Sequence, residues 1–185
     1  PDSSSASTTV SLTADAAGTA EFTIKRYTLT VSATNGTVTR SPDQPQYDSN
    51  SSVQLTAAPT TGYQFTGWTG DTATSANPMT MRMNGSKSVT ANFAIKTYTL
   101  TVNAGSGGTT FPSGTATVNH DASTPIAATP NAGYSFARWT RSGTAAAIPD
   151  SSSASTTVSL TADAAVTAEF TIKRYTLTVS ATNGT

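Results

Sequence analysis

The chain has 185 residues, ten basic and ten acidic, and a formal net charge of zero. A neutral chain whose only adjacent basic pairs are Lys25-Arg26 and Lys173-Arg174 lacks the positive patch that binding to nucleic acid or an anionic membrane surface requires. Cysteine is absent, which excludes disulfides and thiolate metal sites, and no apolar run approaches the roughly 20 residues that span a bilayer.

In chain order, the first feature is a duplication. Residues 1–37 recur as residues 149–185, with Gly18 against Val166 the one difference. Tyr27-Thr-Leu-Thr-Val31 alternates apolar and polar residues and reads as a strand. Asn35-Gly36 is a type I′ turn signal, so residues 37–40 are expected to return as a hairpin partner. After the loop at 41–45, Val53, Leu55 and Ala57 alternate, and Pro59 to Gly62 make a turn. Tyr63 and Phe65 alternate until Gly67 shifts the phase before Trp68, which predicts a β-bulge. Met79, Met81 and Met83 form a further strand, Asn84-Gly85 a second hairpin turn, and Val89 to Ile95 the closing strand.

The same order then repeats with changes. Tyr98-Thr-Leu-Thr-Val102 lies 71 residues after its first copy, and Tyr175-Thr-Leu-Thr-Val179 lies 77 residues further on. Gly133-Tyr-Ser-Phe136-Ala-Arg-Trp139 stands over Gly62-Tyr-Gln-Phe65-Thr-Gly-Trp68, and Val166-Thr-Ala-Glu-Phe170 over Val89-Thr-Ala-Asn-Phe93. The second unit carries six extra residues after its Trp, between Arg141 and Ser155. Val158 and Leu160 align with Met81 and Met83, so the Ala-rich stretch after Ser155 reads as strand and not helix. The expected organisation is the C-terminal part of a B-type repeat (1–26), a complete A-type repeat (27–96), a complete B-type repeat (97–174) and the start of another A (175–185). Each repeat is expected to be an all-β unit of about six short strands, a small sandwich or barrel. A chain that opens on Pro1 without Met reads as a fragment or processed product whose export signals lie elsewhere.

No Gly, Pro or Asn separates Phe93-Ala-Ile95-Lys96 from Thr97-Tyr98, nor Phe170-Thr-Ile172-Lys173 from Arg174-Tyr175. The apolar phase slips by one residue at each place. The final strand of one unit is therefore expected to run almost directly into the next, with a bulge or twist absorbing the slip. Ile95, Lys96, Tyr98, Ile172, Lys173 and Tyr175 are the expected junction residues, and a stiff rod is the expected form. Trp68, Trp139, Tyr63, Tyr134, Phe65, Phe136, Phe93 and Phe170 are the expected core, because one Trp per small unit is needed for packing before it is spared for a sugar.

The motifs GYQFTGWTGD, NPMTMRM and VTANF resemble the divergent internalin-type B-repeat (InlB B-repeat) family of bacterial surface and secreted proteins. That pattern has a Tyr-x-Leu/Val-x-Val opening, a central Gly-Tyr/His-x-Phe-x-x-Trp and a closing Thr-Ala-x-Phe. Unit A matches it throughout, including Gly70-Asp71 and Asn77-Pro78. In unit B, Thr140-Arg141 is read as standing for Gly-Asp, and the Asn-Pro is lost in the insertion. The resemblance implies tandem arrays outside the cell, serving as spacers or adhesion modules, on a compact β-grasp-like fold, with no catalytic residues to carry over.

Each residue that could form a site also has a simpler role. His120 is the single histidine and reads as a solvated loop residue, with Gln or Asn near its place in unit A. Asp48 and Asp71 are the least unfavourable calcium ligands in a chain with no acidic string of the usual kind, and Asx turns explain them equally. Lys25, Lys96 and Lys173 recur as an isopeptide-forming lysine would, or as edge-strand guards. No catalytic, metal or cofactor site is expected. The expected function is a non-catalytic extracellular stalk, fibre or filament whose partners are further copies of the repeat in the same or neighbouring chains. The alternative is an adhesive or carbohydrate-binding module with surface glycans as partner.

Overall fold

The computed structural model describes residues 6–181. Among these residues there is no helix, and every strand lies in one of two units that meet at Lys96. Unit A contains β1 (Arg26–Tyr27), β2 (Leu29–Ala33), β3 (Gly36–Ser41), β4 (Tyr47–Asp48), β5 (Ser52–Pro59), β6 (Tyr63–Gly70), β7 (Met79–Arg82) and β8 (Lys87–Ile95). Unit B contains β9 (Thr97–Ala104), β10 (Gly108–Phe111), β11 (Gly114–Asn119), β12 (Thr124–Pro130), β13 (Tyr134–Arg141), β14 (Ala146–Ala147), β15 (Ser155–Leu160) and β16 (Ala164–Ile172). Each unit thus has eight strands where about six were expected. The additional ones include the two-residue pairings β1, β4 and β14, too short for any period to register.

Each unit is a sandwich of two small sheets. In unit A the orders are β2-β8-β6 and β3-β5-β7; in unit B they are β11-β9-β16-β13 and β10-β12-β15-β14. The first long strand of each unit pairs in parallel with the last. Val31 lies beside Val89 in unit A, and Val102 beside Val166 in unit B. Parallel neighbours need a long crossover connection, and here the intervening strands supply it.

The Asn-Gly signals mark turns but not hairpins. Asn35 adopts a φ of 66°, yet β2 pairs with β8 while β3 pairs with β5 across the sandwich. Asn84-Gly85 likewise separates β7, bonded to β5, from β8, bonded to β2 and β6. Both turns carry the chain from one sheet to the other. Local turn chemistry cannot distinguish this arch from a hairpin, because the choice depends on which strand the returning segment meets.

Between the sheets lie two apolar cores. Unit A buries Leu29, Tyr47, Val53, Leu55, Ala57, Trp68, Met79, Met81, Met83, Val89 and Ala91. Unit B buries Leu100, Val102, Ile126, Ala128, Trp139, Ala146, Val158, Leu160, Ala164, Val166 and Ala168. Phe65 and Phe93, like Phe136 and Phe170, pack partly buried against these cores, edge to face at 5.7 Å and 6.1 Å between ring centroids. Tyr63 and Tyr134, expected in the core, lie half-buried outside both clusters, because they pair with Ile95 and Ile172 at the end of the sheet. The register shift falls between Phe65 and Gly67, and again between Phe136 and Arg138.

The insertion of unit B replaces bonds that unit A makes differently. Asn77 imitates a strand in unit A: its side chain accepts from the Ala57 amide and donates to the Ala57 carbonyl, both at 2.8 Å. In unit B the Ala154 carbonyl accepts from the Ala128 amide. Trp68 Nε1 donates to Ala76 O, and Trp139 Nε1 to Ser153 O. Arg141-Ser142, not Thr140-Arg141, stands opposite Gly70-Asp71. Asp71 accepts from the Ser88 amide and Ser142 from the Ala165 amide, so a hydroxyl takes over from a carboxylate. The Asp150 carboxylate organises the inserted loop. The Ser152 hydroxyl at 2.6 Å, then the Ser152 amide, against slight desolvation, and finally the Ser153 amide hold its pKa below the ordinary 3.8.

Residues 6–25 and 173–181 form no strand. Yet residues 7–24 repeat 155–172 except for Gly18, and 173–181 repeat 25–33. The same sequence forms β15, β16, β1 and β2 only where the rest of a unit surrounds it.

Val166 is fully buried in β16, and Val166→Gly is expected to lower the stability of unit B by roughly 3 kcal/mol through lost burial and a more mobile backbone. Hydrogen exchange of the β9 and β16 amides reads the loss, with the unit A amides unchanged. The depressed Asp150 pKa means its contribution is present above the ordinary value of 3.8 and lost as pH falls through the lower folded value. Below pH 3.8 the Trp139 indole N–H is therefore expected to exchange faster relative to that of Trp68, a difference that Asp150→Asn abolishes in proton NMR.

Candidate functional site: the joint between units

β8 ends at Ile95 and β9 begins at Thr97, so one residue, Lys96, separates two sandwiches. Its backbone is bonded to both. The Lys96 amide donates to Gly62 O of unit A at 2.8 Å, and the His120 amide of unit B donates to Lys96 O at 2.8 Å. The halves of the other joint repeat this scheme. Lys173 N donates to Gly133 O at 2.7 Å, and Ser49 N donates to Lys25 O at 2.8 Å. Ser49, not a Gln or Asn, is thus the counterpart of His120.

The strands explain why these groups meet. Gly62 takes a φ of 81° in the turn that leads into β6, a conformation open to glycine at little cost, and it turns its carbonyl toward Lys96. On the other side, Asn50 (φ 67°) and Asp121 (φ 57°) tighten the turns after β4 and β11, which present the Ser49 and His120 amides. Asn50 N donates to Met83 O and Asp121 N to Leu160 O, anchoring each turn on its own core strand.

His120 fills the joint. Its imidazole lies so close to Gly62 that a methyl group there would overlap Cδ2, and its ring centroid is 5.9 Å from that of Tyr98. Nδ1 is buried without a hydrogen-bond partner, so the ring contributes packing and not a polar link. Gly62 is buried as a result.

The other expected junction residues fall differently. Tyr27 and Tyr98 pack against their cores, while Tyr175 is 84% exposed in the strandless segment. Ile95 and Ile172 end their strands at the sheet tips. Lys25, Lys96 and Lys173 are exposed, which does not suit isopeptide chemistry requiring a buried amine beside an acid. Asp48 pairs with Arg26 at 3.0 Å, and Asp71 is occupied by the Ser88 amide. The groove beside the unit A bulge is lined by Gly67, Thr69, Thr74 and Asn92. Its position in unit B carries the Arg138–Glu169 ion pair at 2.8 Å, so it is not a repeated site.

Compared with protein-family models, the chain matches the divergent InlB B-repeat domain twice, over residues 27–97 and 98–174. The chain belongs to the divergent InlB B-repeat family. Neither a curated protein nor a solved structure matches it. The family is one of repeat modules and not a known enzyme family, and it points to a bacterial surface or secreted protein. In structural terms, the Gly-Tyr-x-Phe-x-x-Trp motif of these B-repeats runs from the joint to the core. Gly62 is the socket at the tip, Phe65 packs on Phe93, and Trp68 is buried at the centre. The phenyl ring of Phe93 in turn covers Gly36, and that of Phe170 covers Gly108, positions where a side chain would collide with the ring.

The joint residues Gly62, Ser49 and His120 carried one faint sequence signal. Asp48-Ser49-Asn50 and Asn119-His120-Asp121 share a polar-x-polar turn pattern at the same distance from the opening Tyr.

Because both backbone groups of Lys96 are bonded, trypsin is expected to cut the 96–97 bond at least roughly tenfold more slowly in the native chain than in the chain unfolded in urea. Mass spectrometry of a digestion time course checks this. Comparable rates would show that the joint opens freely.

Proposed function

We propose that this chain is a non-catalytic spacer, a segment of an extracellular stalk or filament built from stacked B-repeats. The observation that carries this reading is the parallel pairing of the first and last strands of each unit. A chain that enters along β2 and leaves along β8 in the same direction enters at one end of the sandwich and exits at the other. With one residue between β8 and β9, each unit adds its own length to the array.

The surface suits this role. Outward positions of β9 and β11 carry facing threonines, Thr101 opposite Thr115 and Thr99 opposite Thr117, which keep a neutral sheet wet without attracting a charged partner. The glycan-binding alternative calls for an exposed aromatic on the same face of every unit. Trp68 and Trp139 are buried, and exposed Phe111 aligns with no aromatic in β3 of unit A.

The experiment is electron microscopy of the native protein together with arrays of increasing repeat number. Contour length is expected to grow linearly by roughly 30 Å per unit, the span of a nine-residue strand. Compact particles whose length does not scale, or selective retention on a glycan array, would overturn the spacer reading.

A further inference from the structure

The two kinds of joint in the array differ in what fills them. Where B follows A, the His120 imidazole sits on Gly62 and beside Tyr98. Where A follows B, the A side of the joint carries Ser49 in place of the histidine. On the B side, Gly133 has the φ (82°) and the Lys173 bond of Gly62, and so offers the same socket. On the A side, the backbone of Ser49 makes the bond to Lys25 that His120 makes to Lys96, but its side chain is one hydroxymethyl group. Residues 25–37 and 173–185 are identical, so the two halves describe one joint.

The backbone bonds are common to both joints and set the direction of the chain. Resistance to bending comes from side-chain packing on either side of a single connecting residue, because relative motion is the default for domains that share a small interface. A ring wedged between Gly62 and Tyr98 blocks rotation about Lys96; a serine leaves that space open.

We infer that the array has alternating joints, with A-to-B joints held stiff by His120 and B-to-A joints, carrying Ser49, acting as hinges. The period of bending is then two repeats, which explains why two unit types alternate where a rod would need only one. The inference deepens the spacer reading and rests on it for its use in the array, but the joint angles are measured separately from the contour length, so either can fail alone.

The chain has no cysteine, so spin labels placed at Asn84→Cys and Ala132→Cys, both exposed and in turns at the far ends of units A and B, report the A-to-B angle by pulsed dipolar spectroscopy. A narrow distance distribution is expected, broadened at least about twofold by His120→Ser and kept narrow by His120→Phe, which retains the ring. An unchanged width in His120→Ser, or loss of the narrow distribution in His120→Phe, would overturn the role of the ring. A second measurement does not depend on that variant. In a tandem of residues 27–174 repeated twice, the B-to-A joint is expected to give the broader distribution, narrowed when the serine corresponding to Ser49 in the second A unit is replaced by His. Equal widths at the two native joints would overturn the alternation.

Discussion

Everything in this molecule depends on the parallel pairing of the first and last strands of each unit. An antiparallel pair would return the chain to the end where it entered, and successive units would fold back on one another. The Val31–Val89 and Val102–Val166 pairs instead send the chain out at the far end. The intermediate strands then serve as a long crossover that wraps over the pair and buries it. Parallel ladders are slightly weaker per residue than antiparallel ones and are usually covered on a face. Here the second sheet covers them, with Val53, Leu55 and Met81 in unit A and Ile126, Val158 and Leu160 in unit B.

The two units reach one geometry by different local means, which separates what the fold needs from what it tolerates. It needs a partner for the Ala57 or Ala128 amide, and Asn77 or Ala154 serves. It needs an acceptor at the end of the edge strand, and Asp71 or Ser142 serves. It needs something on β2 or β9 beyond β8 or β16. In unit B this is a full strand, β11, while in unit A β4 covers only Tyr27 and Arg26, and the Arg40 guanidinium donates to Leu29 O. An edge carbonyl held by a guanidinium is closed to another chain's strand, which protects a sheet that has little charge to keep neighbours apart. A difference not absorbed in this way is the residue between Gly62 and Tyr98 at the joint, and it falls where the units meet.

Much of this was legible from the chain because the repeat is so regular. The duplicated motifs gave the unit length, the alternation at Val53-Leu55-Ala57 and Met79-Met81-Met83 gave strands, and Gly67 before Trp68 gave the bulge. The joint residues were harder to find. His120 looked like a solvated loop histidine, since nothing in Asn119-His120-Asp121 says that Gly62, 58 positions earlier, lies across from it. Tyr63 and Tyr134 looked like core, because alternation sorts the faces of a strand but does not say where along its length the core ends.

The duplication shows most directly where the sequence stops deciding. By itself it determined the all-β class, the unit boundaries' approximate place, the buried tryptophans and the absence of any slack between units, because these follow from residue type, spacing and turn chemistry. Tertiary structure alone decided pairing. Asn35-Gly36 and Asn84-Gly85 became arches, and the segment that forms β15 and β16 in unit B forms no strand at residues 7–24, where the sequence differs only by Gly18. The reason is that a strand's hydrogen bonds are made to another segment. An apolar alternation states a readiness to pair, and only the neighbouring strands, brought near by the fold, supply the donors and acceptors that complete it.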